Sequence, residues 1–155
     1  MSFQLHPEAR NWFKKVQGQD PLPTLFDVYQ LCFNLGIAHG RCTHLDDGVD
    51  NFMDEFIQRY RNHQMLMVGT MLTHAMKRQG IELTDRSAVV EEIERLVDSS
   101  GMGMQLTSEG YREMNAYAAG GFNALREELE EPPSEITYLL KRFRTFLKGT
   151  DSVKI

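Results

Sequence analysis

The stretch Thr24-Leu25-Phe26-Asp27-Val28-Tyr29-Gln30-Leu31-Cys32-Phe33-Asn34-Leu35-Gly36-Ile37 decides how the chain is read. Its apolar residues cover more than one face of a helix, the pattern of a helix surrounded by others rather than lying on a surface. Thr24 is a favoured N-cap residue, and Asp27, three positions on, sets a carboxylate near the positive end of the helix. This is the expected central helix. The stretch from Gly36 to Gly48 reads as its frayed end and a loop.

Toward the amino terminus, Pro7 suits a first helical position, and a short helix is expected from there to about Gln17, anchored by Trp12 and Phe13. Gly18 and the Pro21/Pro23 pair stop it. On the other side, Phe52, Met53, Phe56, Ile57 and Tyr60 recur at helical spacing from Asp50, and a second set from Met65 to Met76 continues to Gly80. Between them Arg61-Asn62-His63-Gln64 marks a break. Thr84 or Asp85 caps the next helix, whose Val89, Val90, Ile93, Leu96 and Val97 form an apolar stripe opposite Glu91, Glu92 and Glu94.

After a Ser99–Gly103 connector, a helix is expected over about Ser108 to Glu130, ended by Pro132-Pro133. A last one begins at Ser134 and turns Ile136, Leu139, Leu140, Phe143, Phe146 and Leu147 inward. β-type alternation bounded by tight turns is almost absent. The expected fold is all-α, a compact single-domain bundle of six to seven helices over 1–155. It comprises an N-terminal helix within 1–18, a core over 20–131 and a basic amphipathic C-terminal helix over 133–148.

A length of 155 residues fits one domain of the usual size, about 100 to 150 residues. With 41% hydrophobic and 25% charged residues the chain is too apolar for disorder and too polar for a membrane. Its longest apolar run, Met65-Leu66-Met67-Val68, is far below the roughly 18 residues a span requires. The first twenty residues hold no secretory signal. Cys32 and Cys42, without a CxxC spacing, fit a reducing compartment. A cytoplasmic protein is expected.

The net charge of −5 excludes a uniformly basic nucleic-acid coat, but the charge is unevenly spread. Residues 82 to 131 carry twelve acids against four bases, and residues 132 to 155 carry five bases against two acids. The C-terminal helix lines Lys141, Arg142, Arg144 and Lys148 on one side. They either face solvent and the acidic 127 to 131 run, or contact a nucleic-acid backbone or an acidic partner.

Chemical motifs are sparse. His39, Cys42, His44, Asp46 and Asp47 crowd together, yet their spacing matches no zinc site and lacks the glutamate of a calcium loop. A polar turn is the plainer reading. No phosphate loop, GxSxG elbow or HExxH is present, so no catalytic residue, metal or cofactor is assigned. A deep polar pocket lined by His39, Cys42 and His44 would instead point to an enzyme. Among nine methionines, Met102 and Met104 sit in a glycine-rich connector, where burial is hard, and are candidates for partner binding. Gly120-Gly121, inside a helix, marks a kink or a close helix crossing.

The block Leu25-Phe26-Asp27-Val28-Tyr29-Gln30-Leu31-Cys32-Phe33-Asn34-Leu35-Gly36, followed by Gly40-Arg41, resembles the opening of small accessory proteins of Dnd phosphorothioation-associated and related anti-phage defence operons. Tyr117-Ala118-Ala119-Gly120-Gly121-Phe122 is similar to that family's carboxyl-side signature. The resemblance covers roughly residues 20 to 130. It implies a bacterial helical subunit without catalysis of its own, working beside a nuclease or, as in Lamassu-like systems, an SMC-like ATPase.

On that reading Gly120 and Gly121 admit a partner's backbone and Tyr117 and Phe122 flank the contact. Alternatively the glycines let two helices of this chain cross. The functional expectation is a non-catalytic adaptor that binds a larger ATPase or nuclease subunit. Its rival is a small subunit that contacts DNA or RNA through the basic C-terminal helix.

Overall fold

A computed structural model describes residues 2–46, 50–98, 100 and 105–151, with the side chains of 149–151 excepted. The fold is mostly helical. Its elements in chain order are β1 (Phe3–Leu5), α1 (Ala9–Trp12), α2 (Leu25–His39), β2 (Asp50–Met53), a 3-10 turn (Gln58–His63), α3 (Gln64–Arg78), α4 (Arg86–Leu96), β3 (Val97–Asp98), β4 (Gln105–Leu106), α5 (Ser108–Leu129) and α6 (Ile136–Asp151).

The central helix forms where its local signals place it. Thr24 Oγ1 accepts the Asp27 amide while the Asp27 carboxylate accepts the Thr24 amide at 2.8 Å, a capping box that satisfies two otherwise orphaned donors. At the other end Gly40 adopts a left-handed φ of 62° and closes the helix. Nine of its residues are buried, on more than one face, and its main neighbour is α5. Asp85 caps α4 and Thr107 caps α5, each accepting a backbone amide three residues on.

The all-α expectation is corrected in two places. Phe3–Leu5 and Asp50–Met53 pair as an antiparallel two-stranded sheet, and Val97–Asp98 pairs with Gln105–Leu106 in a second. In β1 the side chains of Phe3 and Leu5 enter the core and Gln4 turns away, the period-two alternation of a strand. Residues 50 to 53, expected to be helical, pair with β1 because the edge of that short strand needs a partner for its backbone groups. The expected helix over Pro7 to Gln17 shrinks to Ala9–Trp12 followed by turns.

The core is built around aromatic rings. Phe3 meets Phe26, Tyr29, Phe56 and Tyr111 edge to face at centroid distances of 4.9 to 5.2 Å, so β1 acts as a plug between α2, α5 and the segment before the 3-10 turn. Trp12 and Phe13 pack on Phe122 of α5. Asn115, buried in α5, accepts the Gln4 amide at 3.1 Å and the Tyr29 hydroxyl at 2.8 Å, and donates to the Ser2 carbonyl. One side chain thereby ties β1, α2 and α5 together.

Candidate functional site

The glycine signature lies at the α2–α5 crossing. A Cβ on Gly121 would collide with the carbonyl oxygen of Cys32 and lie 2.6 Å from the Gly36 amide nitrogen, and one on Gly36 would collide with the Tyr117 carbonyl. Gly120 faces the Arg41 backbone in the same way. Tyr117 and Phe122 are both buried, against Phe33 and against Trp12 and Phe13 respectively. The space that the resemblance gives to a partner is thus filled by this chain's own α2 and the segment after it, which is the alternative reading of the glycines. Met102 and Met104 lie outside the described residues.

The polar cluster after α2 is split. His39 stacks on Phe146 of α6 at 4.0 Å, its Nε2 buried without a hydrogen-bond partner. Burial, with the nearby Arg41, lowers its pKa below the usual 6.5. Cys42 is half-buried beside Tyr117, in a group completed by the Arg78–Glu113 ion pair. Burial pushes the Tyr117 phenol up to about 12 against the pull of Arg78, and pushes the Cys42 thiol up as well. His44 and Asp46 are exposed and line a separate cleft, while Asp47 lies outside the described residues. The cleft that His44 lines includes neither His39 nor Cys42, and among the described residues no three His, Cys, Asp or Glu side chains gather as metal ligands.

The basic set on α6 is also divided. Arg142 is turned inward and ion-paired to Glu128 at 2.7 Å, which removes it from an outward strip. Lys141, Arg144 and Lys148 stay exposed, and Tyr138, also on the outward side, is half exposed. Phe143, Phe146 and Leu147 face the body of the protein only partly buried. No helix among the described residues is long and apolar enough to cross a membrane.

Helix α4 departs furthest from its sequence pattern. Glu92, expected on the solvent side, is 5% exposed, holding Arg95 by two hydrogen bonds and accepting from Gln79 at 2.7 Å. The Arg95 guanidinium bridges on to Glu109 of α5 and holds the Glu92 carboxyl below its usual range. With that face inward, Val90 and Ile93 are left 43% and 38% exposed, between the exposed carboxylates Glu91 and Glu94. Leu83, just before the helix, is 72% exposed. The sequence signal for this rotation is the Glu92-x-x-Arg95 spacing, which pairs on one helix face.

No protein-family profile matches the chain, and neither a curated protein nor a solved structure is found similar to it.

Proposed function

We propose that this protein is a non-catalytic accessory subunit that binds a larger ATPase or nuclease subunit of a bacterial anti-phage defence complex, through the outward face of α4. The observation that carries the reading is the orientation of that helix. Turning Glu92 inward leaves two branched aliphatic side chains about 40% exposed, and burying the remainder of each would be worth about 1 kcal/mol. A partner that covers Val90, Ile93 and Leu83 recovers that free energy. The Glu91 and Glu94 rim favours a partner rich in lysine and arginine around an apolar centre, as in subunits that handle nucleic acid.

The resemblance of the Leu25–Gly36 and Tyr117–Phe122 blocks to defence-operon accessory proteins supplies the class of partner. The buried glycines then serve the scaffold that presents α4. Co-expression of the tagged chain with the products of its flanking genes tests the proposal: one should co-purify in fixed stoichiometry, and Ile93→Lys should release it while the chain stays folded. Retention of the partner by Ile93→Lys overturns the assignment to α4.

A second reading rests on α6, whose Lys141 and Arg144 stand exposed on one side beside Tyr138. Such a strip would contact a nucleic-acid backbone in a salt-dependent way. Filter binding at low salt should then weaken in a Lys141→Gln/Arg144→Gln variant, and equal binding by that variant removes this reading.

A further inference from the structure

Beside β1, four segments line an open cleft of about 680 Å³. One wall is a single face of α5, on which Ser108 and Arg112 stand one turn apart with the buried Asn115 below them. His44 and Asp46 come from the segment after α2, and Gln4 and Asn51 from the paired strands β1 and β2. The strand wall is held rigidly, because the Asn51 side-chain oxygen accepts from both Ser2 Oγ and Gln4 Nε2, at 2.9 and 2.7 Å. The Asn51 amide group is left to donate. The Asn115 polar atoms are already engaged by Gln4, Tyr29 and Ser2, so Asn115 shapes the floor rather than reading a ligand.

Arg112 distinguishes this cleft from an ordinary surface hollow. Seven arginines of the chain hold a carboxylate, at Arg10, Arg41, Arg59, Arg78, Arg95, Arg126 and Arg142. Among the described residues Arg61, Arg86, Arg112 and Arg144 hold none, and of these four only Arg112 lines the cleft, which it shares with Asp46. Its guanidinium offers the two-pronged donor geometry that suits a phosphate. The Ser108 hydroxyl, on the first turn of α5, adds a donor near the positive end of that 22-residue helix. Asp46 can only accept from a ligand when ionised, which suits sugar hydroxyls rather than a second anion.

We propose that this cleft binds a small hydroxyl-bearing phosphomonoester of mononucleotide size, with the phosphate on Arg112 and Ser108, and hydroxyls on Asp46. The volume admits such a molecule, at the middle of the range of roughly 300 to 1,000 Å³ common for ligand pockets. The site lies apart from α4 and is independent of the adaptor reading.

Isothermal titration with adenosine 5′-monophosphate, adenosine and inorganic phosphate tests it. The mononucleotide should bind saturably, and at least about tenfold more tightly than adenosine or phosphate alone. Arg112→Gln should weaken mononucleotide binding by about tenfold or more, to the level of adenosine, while Arg144→Gln leaves it unchanged. Arg112 is exposed and holds no carboxylate among the described residues, so the variant is expected to fold, which circular dichroism checks; Ser108→Ala gives a second, smaller loss. Absence of saturable mononucleotide binding, or equal binding by Arg112→Gln, overturns the proposal.

Discussion

Gly121 of α5 rests directly on the carbonyl of Cys32 in α2, so closely that no side-chain atom fits between the two backbones. Gly36 makes the reciprocal approach to Tyr117, and the two contacts fix the crossing point of the two longest-packed helices. Three further elements are tied to this pair of helices: β1 through Asn115, the Arg41 segment through Gly120, and α4 through the Arg95–Glu109 bridge to α5.

Gly121→Ala and Gly69→Ala are expected to have opposite signs. At Gly121 the new methyl must push two backbones apart, and a loss of about 3 kcal/mol or more is expected, at the upper end of overpacking costs. At Gly69, within α3, a Cβ meets nothing within 4 Å and φ is ordinary, so the change should stabilise by up to about 1 kcal/mol through helix propensity. Urea unfolding of both variants checks the pair.

Asp27 does more than cap α2. Its second carboxylate oxygen accepts the Tyr60 hydroxyl, joining the helix start to the 3-10 turn, and Arg59 stands 3.5 Å away. Tyr60→Phe should cost about 1.5 to 3 kcal/mol, the worth of a hydrogen bond to a charged group. Asp27→Ala should cost more, since it also removes the cap and leaves the Tyr60 hydroxyl unpaired. A double-mutant cycle on denaturant midpoints should give a coupling of about 1 kcal/mol or more.

Stability should decline on mild acidification. Burial favours the neutral ring of His39, so the unfolded chain takes up its proton first. The contribution is fully present above pH 6.5 and is lost as pH falls from there toward the lower folded pKa. His6 behaves in the same direction, also through burial. Urea midpoints measured at about pH 7.5 and 5.5 should differ less in His39→Phe, which keeps the stack on Phe146 and removes the titration.

The two thiols should differ in reactivity. Cys32 is fully buried under the helix crossing and its thiol is pushed far up by burial; Cys42 is half-buried and raised less. Native alkylation near pH 8 should label Cys42 slowly and leave Cys32 untouched until denaturant is added, because only the thiolate attacks. Mass spectrometry of the labelled peptides reads the order directly.

Local signals were legible in the sequence wherever a single segment carries them. The Thr24 cap, a cap at Thr84 or Asp85, of which Asp85 forms, and the approximate bounds of α5 follow from caps and breakers within a few residues. The Gly120-Gly121 pair marks a close crossing for the same reason, although only the structure names α2 as its occupant. The strands are not legible because two to four residues carry too little periodicity, and β1 finds its partner in β2, far along the chain. The rotation of α4 is hidden because its apolar stripe is wider than the face that is buried: Val89 and Leu96 stay inward with Glu92, whose pair with Arg95 reaches Gln79 and Glu109, and Val90 and Ile93 are left outside. The cleft at Arg112 is assembled from four segments, so no single stretch announces it.

Hydrogen exchange of the chain alone and with the flanking-gene product proposed to bind it tests the role of α4 most directly. Added protection should concentrate in residues 86–96, around Val90 and Ile93, with Ile93→Lys abolishing it. Protection confined to other helices, or no complex with either neighbour, would contradict an adaptor that docks through this helix.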